Sequence, residues 1–287
     1  MENDTRYINL HGKIKLISIA LVNLNKNPKT KIPFFFIEKL KNKFKEFDFR
    51  IIEEPHQLKS ELQDVSYILG WSFPKVFIKK NTKLKEVLLF SSQTPESFKK
   101  QSFVLHSITG INAPFVVEYI LSALEKINKK NILIIGKGTI GKLLLDNLKG
   151  QGAKCVTRLP QGDHEIGYEQ YQDAIKNSDI IIPTVSLNRE TIELFKKNVF
   201  FDHLKSDVFL LNTARGELFK EEDLLKFFKE NPNSFYHTDV TVPEPYPKEG
   251  QLRDLKNVKI TNHIAGFGTG IWDLIYKRTE TIVSRWT

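Results

Sequence analysis

Short, nearly unbroken hydrophobic runs punctuate this chain, and between most of them apolar residues recur at helical spacing. Runs of that kind mark strands buried on both faces. Their alternation with helices predicts an α/β protein whose parallel sheets are covered by helices. In the N-terminal third the pattern reads β, α, β, α, β. KLISIAL (15–21) predicts a strand and residues 33–44 a helix with proline near its first turn. Residues 47–53, VSYILGW (65–71), EVLLFS (86–91) and FVLHSI (103–108) predict further strands. Phe34, Phe35 and Phe36 are expected in the core. A helix over 113–127 leads into a second series, with strands expected at 131–135, 154–157, 180–183, 208–211, 235–239 and 259–261. Two domains follow from this division: 1–104, joined by a returning C-terminal helix at 271–287, and 105–267.

Composition narrows the class. Of 287 residues, 40% are hydrophobic, enough for a substantial core. No apolar run approaches the ~20 residues that span a bilayer, so no membrane partner is expected. The opening MENDTRYINLHGKIK mixes both charges and lacks the apolar heart of a signal peptide. The single cysteine, Cys155, excludes an internal disulfide framework and fits a reducing, cytoplasmic setting. It falls within a predicted strand, as a small buried hydrophobe. The net charge is +9, but the lysines are dispersed among acids, as Lys39, Lys41, Lys43 and Lys45 are between Glu38 and Glu46. That is a solvated surface; with no recognition helix or aromatic–basic stripe, no nucleic acid is expected. No metal site is expected either.

The segment 131–158, NILIIGKGTIGKLLLDNLKGQGAKCVTR, carries the most specific local signal. Gly136-x-Gly138-x-x-Gly141 sits where a strand meets a helix. Gly136 permits the tight turn, Gly138 lets a pyrophosphate approach the backbone, and Gly141 lets the helix pack against the sheet. The N–H groups at the start of the helix, over Thr139 and Ile140, offer partial positive charge to phosphates. With about six strands, the second half is expected to form a doubly wound parallel sheet of the Rossmann type.

Three later motifs each follow a predicted strand, where ligands bind in open α/β sheets. In Asn212-Thr213-Ala214-Arg215-Gly216, an arginine fork suits a carboxylate. In Asp239-Val240-Thr241-Val242-Pro243-Glu244-Pro245, two prolines hold Glu244 in a rigid, non-helical segment. In Asn262-His263-Ile264-Ala265-Gly266, a histidine stands directly after a strand. Each alone is compatible with an ordinary surface loop.

Together, in the order GxGxxG, NxxRG, DVxxxEP and HxAG, these motifs resemble the D-isomer-specific 2-hydroxyacid dehydrogenases. Ser178-Asp179-Ile180-Ile181 with Glu190-Thr191 resembles the family's SDVV…ET segment, and Asn112 to Glu118 the helix entering its cofactor domain. The resemblance covers residues from about 107 to 270. It implies a smaller flavodoxin-like α/β substrate domain beside the Rossmann domain. It also implies an oxidoreductase acting on CH–OH donors, which moves a hydride between NAD(P)H and a small 2-keto acid or D-2-hydroxy acid. On that resemblance His263 is the general acid/base, and Glu244 orients its ring and stabilises its charged form. Arg215 holds the substrate and polarises its keto group. Asp239 lies near the nicotinamide carboxamide, with Ser186, Thr213 and Gly266 also at the cofactor. Ser91 and Ser92, with Arg215 and His263, contact the substrate. A symmetric homodimer, with the helix at 113–127 contributing, is implied as well; its apolar positions Phe115, Val116, Tyr119, Ile120 and Ala123 suit a buried helix, whether the burial is within one chain or between two.

The chain also departs from the pattern. The second strand of the cofactor motif ends Cys155-Val156-Thr157-Arg158-Leu159, without the acid that binds the ribose 2′-hydroxyl. Arg158 would attract a 2′-phosphate, so NADPH is favoured over NADH, as in the similar glyoxylate/hydroxypyruvate reductases. The glycine-rich substrate loop is replaced by Phe90-Ser91-Ser92-Gln93-Thr94-Pro95. Thr184 and Ser186 replace a histidine and a proline common near the cofactor, and Asn262 the proline before the histidine. The alternative function is a dinucleotide-sensing, corepressor-like binding protein. The complete Arg215, Glu244 and His263 set favours the enzyme.

Overall fold

The computed structural model describes residues 6–8, 14–24, 30–71, 73, 75–78, 81–91, 98 and 102–286. The chain divides into two compact units, Met1–Asn112 with Phe267–Thr287, and Ala113–Gly266.

In the first unit the strands are β1 (Arg6–Ile8), β2 (Ile14–Val22), β3 (Phe47–Ile52), β4 (Tyr67–Gly70), β5 (Glu86–Leu89) and β6 (Val104–Ser107), with helices α1 (Phe34–Lys43) and α2 (Leu58–Glu61). Strands β2 to β6 are parallel, in the order β3-β2-β4-β5-β6. That is the flavodoxin-like arrangement, in which the first strand sits between the second and third. Strand β1 pairs antiparallel with the start of β2; the sequence reading had no element there. Alternate residues go to opposite faces. Ala20, Val22, Ile68, Val87 and Leu89 join Leu58, Leu62 and Phe98 in one core. On α1, Phe36, Ile37 and Leu40 are buried. Phe34 and Phe35 are exposed, against the expectation of a three-residue core cluster. Three consecutive helical positions fan out over more than half a turn, so they cannot all face inward.

In the second unit, α3 (Ala113–Leu124) leads into β7 (Ile132–Ile135), α4 (Thr139–Leu148), β8 (Lys154–Val156), β9 (Glu165–Ile166), α5 (Tyr171–Lys176), β10 (Ile180–Pro183), α6 (Arg189–Glu193), β11 (Phe209–Asn212), α7 (Glu221–Glu230), β12 (Phe235–Thr238) and β13 (Val258–Ile260). The seven strands run β13-β12-β11-β10-β7-β8-β9, all parallel. Order reverses at β7, which makes the sheet doubly wound. Ile132, Ile134, Cys155, Ile180, Ile182 and Leu211 pack against α3 and α4. Leu133, Ile135, Val156, Ile181 and Leu210 pack on the other face, with Tyr171, Ile175, Leu224 and Phe228. Near-continuous apolar strands are what burial on both faces requires. The two-residue β9 is too short to give a sequence signal.

The last helix, α8 (Ile271–Val283), belongs to the first unit, where Tyr276 meets Phe36 at 5.8 Å and Trp286 stacks on Tyr67 at 4.0 Å. Lys43 bonds Glu280 at 2.7 Å. No helix among the described residues is long and apolar enough to cross a membrane.

Candidate active site

Because all seven strands of the second unit are parallel, every loop at their carboxyl ends opens on one edge. Gly136 follows β7 with a φ of 106°, a left-handed conformation open to glycine. A Cβ on Gly141 would collide with the Gly136 carbonyl oxygen and lie 2.6 Å from Thr184 Oγ1. Thr184 in turn donates to the Gly136 carbonyl at 2.7 Å, so it backs the turn. At Gly138, the N-cap of α4, a Cβ would find only the Thr184 carbonyl oxygen, at 4.0 Å. The backbone there is open, Thr139 is exposed and Ile140 half-buried. This combination of a packed turn, an open glycine and the start of a helix fits a pyrophosphate. Cys155 lies in β8 beside the turn, and burial pushes its thiol up to about 12.

At the end of β8, Arg158 is exposed and pairs with the carboxylate of Glu190 from α6. The Glu190 charge first, then Tyr168, raises its pKa further. Arg158, Tyr168, Glu190, Thr191 and Leu194 line a pocket of about 330 Å³. Glu190 was not foreseen as a partner, since it comes 32 residues later on another element. Ser186 is exposed, and its carbonyl accepts from Thr191 Oγ1 at 2.6 Å.

The three later motifs meet at the same edge. After β11, fully buried Asn212 accepts from the Ala214 N–H at 3.0 Å and donates to the Arg215 carbonyl at 2.9 Å. Thr213 and Arg215 are half-buried in the turn it shapes. Gly216 follows because a Cβ there would lie 2.5 Å from the Thr241 carbonyl carbon. That approach brings the arginine loop against the segment carrying Glu244. Burial lowers the pKa of Arg215, against the charges of Glu217 and Glu244; it stays protonated.

Glu244 accepts from the Thr241 N–H at 3.1 Å and pairs through Oε2 with His263 Nδ1 at 2.8 Å. Burial works to raise its pKa, but the His263 hydrogen bond and charge, the Thr241 N–H and Arg215 outweigh it, and Glu244 lies below its ordinary value. It therefore remains a carboxylate as the solution is acidified toward the usual carboxylate range. The His263 side chain is exposed, and this pair engages only its Nδ1. Among the described residues His263 is the one non-glycine position with positive φ, 51°. Such a conformation is uncommon and needs support. Buried Asp239 gives it: its carbonyl accepts from the His263 N–H at 2.8 Å, and its carboxylate from the N–H groups of Ile264 (2.9 Å) and Ala265 (2.7 Å). Gly266, buried, ends the turn.

In the first unit, half-buried Ser91 follows β5. Ser92 lies outside the described residues. Among them no group of three His, Cys, Asp or Glu side chains is placed to hold a metal ion.

The sequence model of the D-isomer specific 2-hydroxyacid dehydrogenase family, NAD binding domain, matches residues 119–265. The chain belongs to this family. A glyoxylate reductase of Thermococcus litoralis is 35% identical over 141 residues, which are 47% of this chain and 42% of that enzyme. The match thus spans less than half the length of this curated relative. Among solved structures, D-lactate dehydrogenase from Aquifex aeolicus, complexed with NAD and lactic acid, is similar with a TM-score of 0.78. The likeness covers 93% of this chain and 95% of that one at 18% identity. NAD-dependent formate dehydrogenase from Staphylococcus aureus has a TM-score of 0.75, covering 94% and 95% at 18% identity. At such identity the likeness establishes the shared fold.

Gly216→Ala is expected to push the Arg215 loop off Thr241. Thermal unfolding should show a loss of about 1–3 kcal/mol, as for a small overpacking insertion. A wild-type melting curve would mean that the two loops yield independently.

Proposed function

We propose that this chain is an NAD(P)-dependent reductase of small 2-oxo acids, running in reverse as a D-2-hydroxyacid dehydrogenase. The carrying observation is the 2.8 Å His263–Glu244 pair, with the Arg215 charge acting on Glu244. It lies on the edge of the sheet that carries the glycine turn. In this reading the unit Ala113–Gly266 binds the dinucleotide, with Gly136, Gly138, Thr139, Ile140 and Gly141 at the pyrophosphate and Ser186, Thr213, Asp239 and Gly266 further along. Ser91 and Ser92 are assigned to the substrate carboxylate. The nicotinamide, when bound, supplies a hydride to the carbonyl carbon. Arg215 anchors the substrate through its fork and draws charge onto the keto oxygen. His263 donates a proton from Nε2 to that oxygen, while Glu244 at Nδ1 keeps the ring oriented and offsets its charge. In oxidation the same nitrogen takes the proton back.

NADPH preference is carried by Arg158. Glu190 competes for the same guanidinium, so a 2′-phosphate must displace it. We further propose a symmetric homodimer through α3: Val116 and Ile120 are buried within the unit itself, while Phe115, Leu121, Ala123 and Leu124 are apolar yet only half-buried there.

Replacing His263 by Asn is expected to lower turnover at least ~10²-fold on a panel of glyoxylate, hydroxypyruvate, pyruvate and branched 2-oxo acids, with dinucleotide binding retained. Undiminished turnover refutes the role. A wild-type protein that binds the dinucleotide but turns over none of the panel is instead the corepressor-like sensor. NADPH should bind about tenfold to a hundredfold more tightly than NADH, as expected for a phosphate in an arginine fork. Arg158→Ala should abolish the preference, and Glu190→Gln should strengthen it. Equal weakening of both dinucleotides by Arg158→Ala sinks the idea. Light scattering at micromolar concentration should return twice the chain mass, and a monomer mass counts against the dimer.

A further inference from the structure

Beneath the His263 turn lies a polar chain whose Tyr119, His237 and Thr261 the mechanism leaves unused. Tyr119, on α3, places its hydroxyl 2.9 Å from His237 Nε2 on β12 and 2.7 Å from Thr261 Oγ1, just past β13. Thr261 Oγ1 is 2.5 Å from Asp239 Oδ1. The same Asp239 oxygen takes the Ile264 N–H, and its other oxygen the Ala265 N–H. Asp239 and His237 are almost wholly buried, so water does not substitute for these partners.

Donor counting fixes the direction of the chain. An Asp239 carboxylate only accepts, so Thr261 donates its one hydroxyl proton to it. Thr261 must then accept from Tyr119. The Tyr119 oxygen is left to accept from His237, whose neutral ring carries its proton on Nε2. Each link polarises the next, and the sum is delivered to the carboxylate.

We propose that Tyr119 and His237 are positioning residues: through Thr261 they orient the Asp239 carboxylate, which holds the backbone of the His263 turn in its left-handed conformation. Titration agrees with the roles the geometry demands. Burial, then Lys259, lowers His237 to about 4, so its ring is neutral in ordinary buffers. Burial pushes Tyr119 up to about 12, which keeps its proton in place. The turn needs such a brace because φ at His263 is 51°. Without it the imidazole leaves the line of Glu244, and a small misplacement of a catalytic group is costly. His237 and Tyr119 lie on elements separated by 118 residues, so α3 is tied to the turn.

The effect on turnover rests on the reductase reading; the effect on the turn does not. Tyr119→Phe and Thr261→Val each remove one hydroxyl at nearly constant volume, and Thr261→Ser keeps it. In the full-length protein, amide hydrogen exchange at Ile264 and Ala265 is expected to accelerate about tenfold in the first two variants and stay near wild type in Thr261→Ser. Turnover should fall about tenfold with unchanged KM for the dinucleotide, and the double variant should be little slower than either single one, as for members of one chain. Unchanged exchange at both amides in folded Tyr119→Phe overturns the proposal, as does a Thr261→Ser variant that behaves like Thr261→Val. If Tyr119→Phe does not fold, Thr261→Val decides. If wild type turns over no 2-oxo acid, the reductase reading fails while the exchange result still decides the brace.

Discussion

Seven parallel strands put all their carboxyl ends on one side, and the chemistry of the second unit depends on that constraint. Parallel pairing obliges each connection to cross back over a face, so both faces are covered and the strands become apolar throughout. Polar function is driven to the loops. Residues distant in sequence, from Gly136 to His263, then share an edge. The glycine turn and the histidine turn are two outputs of one sheet.

The loops themselves are built by buried polar groups rather than by exposed ones. Asn212 shapes the arginine turn and Asp239 the histidine turn, and both are almost fully buried. Asn212 satisfies one backbone N–H and one carbonyl, and the Asp239 carboxylate two N–H groups, that the short loops leave without helix or sheet partners. Gly216 allows the two loops to touch. The exposed pair, His263 and Glu244, is therefore carried on supports that water does not reach.

Much of this was legible in advance because it is encoded locally. The strand–glycine–helix signature needs only contiguous residues, and the uninterrupted runs around Ile132, Ile180 and Phe209 announce burial on both faces. Arg215, Glu244 and His263 were legible as members of an ordered set of motifs. What escaped was whatever depends on distant pairing. Glu190 reaches Arg158 from α6, and nothing in either segment points to the other. Tyr119 reads as one more apolar position of α3, and His237 as a polar interruption of β12. Their link exists only once α3 lies across the sheet. Strand β1 is antiparallel, β9 has two residues, and neither has the length to show a period. The Phe34–Phe36 cluster failed for a simpler reason: composition names apolar residues, but helical phase decides which one is inside.

Cys155 has a consequence of its own. It is the chain's sole thiol, it lies fully buried in β8 beside the glycine turn, and burial keeps it protonated. A thiol in that state neither attacks disulfides nor meets a labelling reagent while the strand is in place. Its rate of alkylation therefore counts the openings of the parallel sheet. Nature has placed in this chain a single built-in clock for the breathing of its cofactor-turn layer, readable by mass without any engineered probe.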